Sequence, residues 1–205
     1  MVSNMRKLVK QGYNKGNYEK FYNRESSKLT SFDKFMCDEL ISRLDNNSKI
    51  LDFGCGIGLP HDKYFVKNKI RLTGIDISEK HIELAKKNVK DAKYMVGDFF
   101  SKEIKGKFNA IISFFAIFHI PRTEHKKLFS RMNYLLKSKG YILITLGAES
   151  MKCAVNPDFV GAPMAWSSYS VENNKKLISE AGFKILLVVE DYRTERHLWI
   201  LAQKK

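Results

Sequence analysis

From Lys49 onward the chain alternates short apolar runs with amphipathic stretches, a rhythm that predicts parallel strands joined by covering helices. Ile50–Phe53, Arg71–Asp76, Lys93–Val96, Asn109–Phe115 and Tyr141–Leu146 read as five such strands. Two more, Ile185–Val189 and Leu198–Ala202, are separated by a polar connection around Tyr192–Arg196. That connection is too short for a helical crossover, so an antiparallel hairpin is expected there. Between the strands, Phe32, Phe35, Met36, Leu40 and Leu44 recur at helical spacing, as do Leu128, Met132, Leu135 and Leu136 after Pro121. Ser78 and Ser170 are placed to cap two further helices, the second ending at Gly182. The segment 148–170, with Pro157, Gly161 and Pro163, fits neither period and reads as an irregular insert covering a substrate.

The expected architecture is therefore α/β: a Rossmann-like three-layer sandwich with a seven-stranded, mostly parallel sheet ending in an antiparallel hairpin. At 205 residues, one domain over 1–205 is the simplest arrangement, with residues 1–48 as N-terminal cap helices. Cys37, Cys55 and Cys153 are far apart, which speaks against a disulfide framework or a zinc site and for a reducing cytoplasm. The stretch Met1–Lys10 lacks the apolar core of a signal peptide, and the longest apolar run, Ala110–Ile120, is too short to span a bilayer, so no membrane partner is expected.

The formal charge of +14 raises the question of nucleic acid. Lysine outnumbers arginine 28 to 8, and the lysines are spread along the whole chain rather than gathered into a stripe. A solvated basic surface is the simpler reading, and nucleic acid is disfavoured as a partner.

The strongest local signal is Ile50-Leu51-Asp52-Phe53-Gly54-Cys55-Gly56-Ile57-Gly58, a buried strand running into a glycine turn that opens a helix. A dinucleotide fingerprint would place glycine where Leu59 stands, followed here by Pro60, and a P-loop would need Gly-Lys-Ser/Thr. Asp52, directly before the turn, is placed to hold a cation such as an amino group. Cys55 reads as a small residue suited to a tight turn rather than as a nucleophile.

Leu51 to Gly58 resembles motif I of the class I S-adenosylmethionine-dependent methyltransferases, small-molecule type, and later segments follow that family's order. The resemblance runs from about Gln11 to Gln203. It implies S-adenosyl-L-methionine as cofactor and S-adenosyl-L-homocysteine as product. It implies that Asp76, with Ile77 beside it, accepts both ribose hydroxyls, a task suited to a carboxylate. Gly97, Asp98 and Phe99 resemble the segment that reads adenine. Gly54, Cys55, Gly56, Leu59 and Pro60 would contact the cofactor from the loop, and Ser113 and Phe114 would lie beside its methionine portion. Tyr13 and Arg24 resemble residues with which relatives cover that end, although Gly16-Asn17 and Lys20 depart from the family pattern. Tyr18, Phe21 and Tyr22 read as helix packing.

A small organic acceptor is expected between Phe115–His119 and the aromatic insert, with Phe115, His119, Met164, Trp166 and Tyr169 lining its pocket. His119 has two readings: a packing residue, or a general base with an ordinary pKa of about 6.5. His61, His81, His125 and His197 show no metal-ligand spacing and are expected on the surface. The alternatives are an RNA methyltransferase and a non-catalytic, cofactor-binding activating subunit.

Overall fold

The computed structural model describes residues 2–16, 28–159, 161–193 and 195–205. Its main sheet contains β1 (Lys49–Phe53), β2 (Arg71–Asp76), β3 (Lys93–Val96), β4 (Phe108–Ser113), β5 (Leu136–Gly147), β8 (Phe183–Asp191) and β9 (His197–Lys204). The strand order is β3-β2-β1-β4-β5-β9-β8. The first five strands are parallel, and β9 runs antiparallel to β5 and β8. The chain starts at the centre, works out to β3, then crosses back to β4. A crevice opens at the carboxyl ends of the strands where the order reverses.

Strand β1 is exposed only at Lys49, as suits a parallel strand covered on both faces. Leu51, Phe53, Ile111 and Ile144 face a layer that includes Leu128, Phe129 and Met132 of α5 (His125–Leu135) and Ile178 of α6 (Val171–Glu180). Ile50, Ile112, Leu143 and Trp199 face the opposite layer, with Met36 and Leu40 of α2 (Ser31–Ile41) and Phe65 of α3 (His61–Lys67). Thr30 and Asp33 form a capping box at the start of α2. Ser78 caps α4 (Glu79–Asn88) by accepting from His81 N–H, and Ser170 caps α6 in the same manner through Asn173 N–H.

Three features differ from the expectation. Strand β4 stops at Ser113, because Phe115 takes a left-handed backbone at φ 56°. Strand β5 begins at Leu136 at the end of α5, and its register against β4 slips between Phe108 and Ala110. The insert is regular: β6 (Met151–Phe159) and β7 (Ala162–Ser168) form an antiparallel pair. Pro157 argued against a strand, but β6 has only one neighbour, and an edge strand tolerates a residue without an N–H.

The N-terminal helix α1 (Val2–Lys15) lies on this pair. Met5 and Val9 pack with Met164 and Ala165 of β7. The approach depends on Gly12, where a Cβ would stand 2.5 Å from the Pro163 carbonyl oxygen and 2.8 Å from Met164 Cε. The expectation of surface histidines is also corrected, since His81, His125 and His197 are buried by this layering and His61 is half-buried against Phe114. Among the described residues, no helix is long and apolar enough to cross a membrane.

Candidate active site

A cleft lies over the carboxyl ends of β1, β2 and β3, bounded on one side by the segment after β4 and roofed by α1. It encloses about 560 Å³ of non-protein space, part of it open to solvent.

The floor is the glycine turn after β1. Gly54, Gly56 and Gly58 all have left-handed backbones, at φ 78°, 52° and 74°. A Cβ on Gly54 would run into Ala116 Cβ, so the bare backbone is what leaves the floor open. The turn is tied to β2, with the Gly54 and Cys55 N–H groups donating to the Ile75 carbonyl at 2.8 and 3.1 Å. Gly56 N–H donates to Asp76 Oδ2 at 2.9 Å, and Ser78 N–H donates to Asp76 Oδ1 at 2.9 Å. The buried Asp76 carboxylate thus fixes both the loop and the start of α4, and each oxygen keeps accepting capacity toward the cleft.

The segment after β3 forms the next wall. Asp98 Oδ1 accepts from Phe100 N–H at 2.7 Å, and Asp98 Oδ2 faces Arg6 of α1 at 3.4 Å. Arg6 also binds Glu124 at 2.5 Å and lies 5.0 Å above the Phe100 ring. Phe99 packs edge-on against Phe53, at 4.9 Å between centroids.

Opposite stands His119. Its Nδ1 is 2.8 Å from the Ala165 carbonyl oxygen, and Nε2 is 2.7 Å from the Tyr13 hydroxyl. A carbonyl only accepts, so Nδ1 carries the hydrogen, and Nε2 accepts from Tyr13 O–H. Burial pushes the His119 pKa down to about 4, so the imidazole is neutral at physiological pH.

The structure brings Tyr13, Gly54, Asp76 and Ile77 to the cleft, together with Gly97, Asp98, Phe99 and His119. Other nominated residues lie elsewhere. Asp52 is buried behind the turn, and its Oδ1 has no hydrogen-bond partner. Burial, then the nearby Asp62 and Asp76 carboxyls, push its pKa well up. The Cys55 thiol is buried near Gly74, Gly56 directs its N–H to Asp76, and Leu59 and Pro60, joined by a cis peptide, lead into α3.

Ser113 is spent on the sheet, its hydroxyl donating to the Phe53 carbonyl at 2.7 Å. Phe114 turns to the α2–α3 layer and stacks on His61 at 4.1 Å. Phe115 donates its N–H to Thr145 Oγ1 and packs on His197 and Trp199. Met164 is fully buried in the cluster with Met5 and Val9 of α1. Trp166 stands 5.9 Å from His119 and edge-on to Phe159, whereas Tyr169 lies by His125 and under the Arg122 guanidinium. Arg24, like Tyr18, Phe21 and Tyr22, lies outside the described residues.

Arg6, Val9, Phe100 and Ile120 also line the cleft and were not anticipated. The one sequence signal for them was Met5, Val9 and Tyr13 at a four-residue spacing, which marks a single helix face.

A doubly wound sheet with a reversed last strand, and a glycine turn after β1, define a class by fold, the Rossmann-like fold of the methyltransferases. Residues 50–140 match the family described as "Methyltransferase domain". The chain is 30% identical over 176 residues to phosphoethanolamine N-methyltransferase 3 of Arabidopsis thaliana, covering 81% of this chain and 35% of that one. It is 29% identical over 99 residues to the dTDP-3-amino-3,4,6-trideoxy-alpha-D-glucopyranose N,N-dimethyltransferase of Streptomyces venezuelae, covering 48% and 41%. The chain therefore spans well under half the length of these curated relatives. The fold is shared with magnesium protoporphyrin IX methyltransferase from Synechocystis PCC 6803, at a TM-score of 0.75 and 15% identity over 98% of this chain and 97% of that one. Over these matched residues the chain is similar to the class I S-adenosylmethionine-dependent methyltransferases. The cofactor of that family is S-adenosylmethionine.

The residues present fit that cofactor. Gly54 leaves a cradle that a Cβ would fill, and Asp76 offers buried acceptors to a diol.

Proposed function

We propose that this chain methylates a small organic acceptor, with an amine nitrogen as the attacking atom, and that Tyr13 and His119 take up the proton released. The cofactor, when bound, supplies a sulfonium-activated methyl group open to in-line attack. The protein's part is then alignment, exclusion of water and disposal of a proton. Holding two reactants in line is worth roughly 7–11 kcal/mol.

The observation that carries this reading is the Tyr13–His119–Ala165 chain at the cleft wall. His119 Nε2 presents its lone pair to Tyr13 O–H, so a proton accepted at the Tyr13 oxygen passes the phenolic proton on to Nε2. The Ala165 carbonyl steadies the resulting imidazolium through Nδ1–H. We assign Asp76, with Ile77, to the ribose, Gly97, Asp98 and Phe99 to the adenine, and Gly54 to close backbone approach.

The small-molecule reading is supported by the lining, where among the described residues Arg6 is the only cation and already pairs with Glu124 and Asp98. An amine acceptor is supported by the names of both curated relatives. We place residues 1–205 in one catalytic unit, with the N-terminal segment 1–48 and the hairpin within 148–170 as its roof; the packing of α1 on β7 supports this.

A second reading, a cofactor-binding subunit without turnover, draws on Phe115, whose ring faces Trp199 and His197 rather than an open pocket. The deciding experiment is labelled-methyl transfer from S-adenosylmethionine to pools of small amines, other metabolites and RNA, read by mass spectrometry. Label in small amines is expected. Label in RNA alone overturns the acceptor class, and no label despite tight cofactor binding favours the second reading.

A further inference from the structure

The end of the sheet away from the cleft carries a row of cations. Each of the five parallel strands enters on one. Lys49, Arg71 and Lys93 are the first residues of β1, β2 and β3, Lys107 directly precedes β4, and Lys137 is the second residue of β5. These strands lie side by side in the order β3-β2-β1-β4-β5. With about 4.8 Å between neighbours, the row runs for about 19 Å along the amino edge. Lys49 partners Arg71 in register, and Lys93 partners Thr73, so the side chains of Lys49, Arg71 and Lys93 leave the same face of the sheet. Cations scattered in the sequence are gathered here by strand order.

The row borders a groove with an apolar floor that includes Leu51, Met95 and Ile104. Lys69 and Lys105 add two exposed cations to its walls, and Asp91 and Glu103 are the acidic residues that line it. Lys137 continues the row through Asn109, whose Oδ1 accepts from its ammonium at 3.1 Å and from the Lys49 N–H at 3.0 Å. None of these cations pairs with a carboxylate among the described residues. Like charges on adjacent strands repel, so the row lacks an anion. Beside Lys107 the Tyr134 ring is 69% exposed, with the Lys107 ammonium 4.1 Å from its centroid. Cations next to an exposed aromatic ring offer a phosphate partner and a stacking platform for a base.

We propose that this edge binds a single-stranded nucleic acid along its phosphodiester backbone, with one base stacked on Tyr134. A row about 19 Å long exceeds the reach of one phosphate group and suits a chain of them. A flat anionic membrane does not follow a floor recessed between basic walls, and an acidic peptide brings no base to Tyr134. Lysine predominates over arginine in the row, which gives charge without the planar fork that reads base edges, so binding is to the backbone and independent of sequence. The groove opens at the amino ends of the strands and the cleft at their carboxyl ends. The bound strand is therefore a docking partner rather than the methyl acceptor, and the inference does not depend on the cofactor.

The test is fluorescence anisotropy of a short labelled oligouridylate between 50 and 200 mM salt. Five neutralised phosphates give a slope of about −3.5 in log affinity against log salt, or about a hundredfold loss over that range. The triple variant Lys49→Gln, Arg71→Gln, Lys93→Gln should flatten the slope by about 2, and each single replacement by about 0.7. A control triple, Lys63→Gln, Lys86→Gln, Lys87→Gln, removes the same charge from exposed positions of α3 and α4 and should leave the slope unchanged. Tyr134→Ala should weaken binding by roughly fivefold or more at constant slope. Circular dichroism checks that each variant is folded. Equal flattening by the two triples reduces the effect to net charge and overturns the proposal. So does unchanged affinity in Tyr134→Ala, or failure of the oligouridylate to bind while phosphatidylglycerol vesicles or polyglutamate bind through the same cations.

Discussion

The hydroxyl of Tyr13 donates to Nε2 of His119 across 106 residues of sequence, at 2.7 Å, and so ties the roof helix to the segment after β4. This bond fixes the imidazole tautomer, and it places a phenolic oxygen at the cleft as the last atom of a proton path.

If that path operates, His119→Gln should lower single-turnover methyl transfer by about 10²–10⁴-fold, the usual scale for general base catalysis. Cofactor affinity should change little. Tyr13→Phe should lose a similar factor, and the double variant should lose no more than either single one, because the two act as a unit. Equal, independent losses in the two singles would point to separate packing effects.

Burial should keep His119 and His125 unprotonated well below the ordinary imidazole range, both near 4. Nitrogen NMR is expected to show both rings neutral from pH 7 to 5, with hydrogen on Nδ1 of His119. Their folded pKa is depressed, so the unfolded state takes up protons first as pH falls below about 6.5. Stability from each ring is complete above that value and declines toward pH 4, by up to about 1.4 kcal/mol per unit. The melting-temperature advantage of wild type over His125→Gln should therefore shrink as pH falls from 6.5 to 4.5.

Asp76 holds two backbone N–H groups besides facing the cleft, so its loss should show in two measurements. Asp76→Ala should weaken S-adenosylhomocysteine binding by roughly 1.5–3 kcal/mol or more, and should also lower the melting temperature. Asp76→Asn keeps an acceptor oxygen and should retain more stability than affinity. Unchanged binding by calorimetry in either variant would remove Asp76 from the ribose assignment.

Gly54→Ala meets two obstacles, a left-handed backbone and the Ala116 side chain. The strain alone should cost about 1 kcal/mol or more, and the added methyl would fill the cofactor's floor. Adding Ala116→Gly should relieve the clash but not the backbone strain. Chemical denaturation should accordingly find the double variant between wild type and Gly54→Ala.

Trp166 stands 5.9 Å from His119 on the hairpin that α1 covers. Trp166→Ala is expected to leave cofactor binding intact while reducing turnover about a hundredfold through a misplaced acceptor. Parallel losses in binding and turnover would mark the residue as support for α1 instead.

Much of the molecule was legible in one dimension because its causes are local. Apolar runs of strand length, separated by amphipathic stretches, dictate a parallel sheet with both faces covered, and the short Tyr192–Arg196 connection dictates the closing hairpin. Glycines at 54, 56 and 58 mark a turn that only left-handed backbone can make, and Asp76 and Asp98 mark the strand ends beside it. What tertiary structure decided is partnership. Periodicity states that Met5, Val9 and Tyr13 share a face, but not that the face meets β7; that depends on Gly12 fitting under Pro163 and Met164. Ser113 and Phe114 belong to a motif by sequence, yet β-sheet alternation turns them to the neighbouring strand and the far layer. The pairing of Tyr13 with His119 exists only because strand order and helix packing bring distant residues together, and a pattern of apolar and polar positions does not encode which side chains meet.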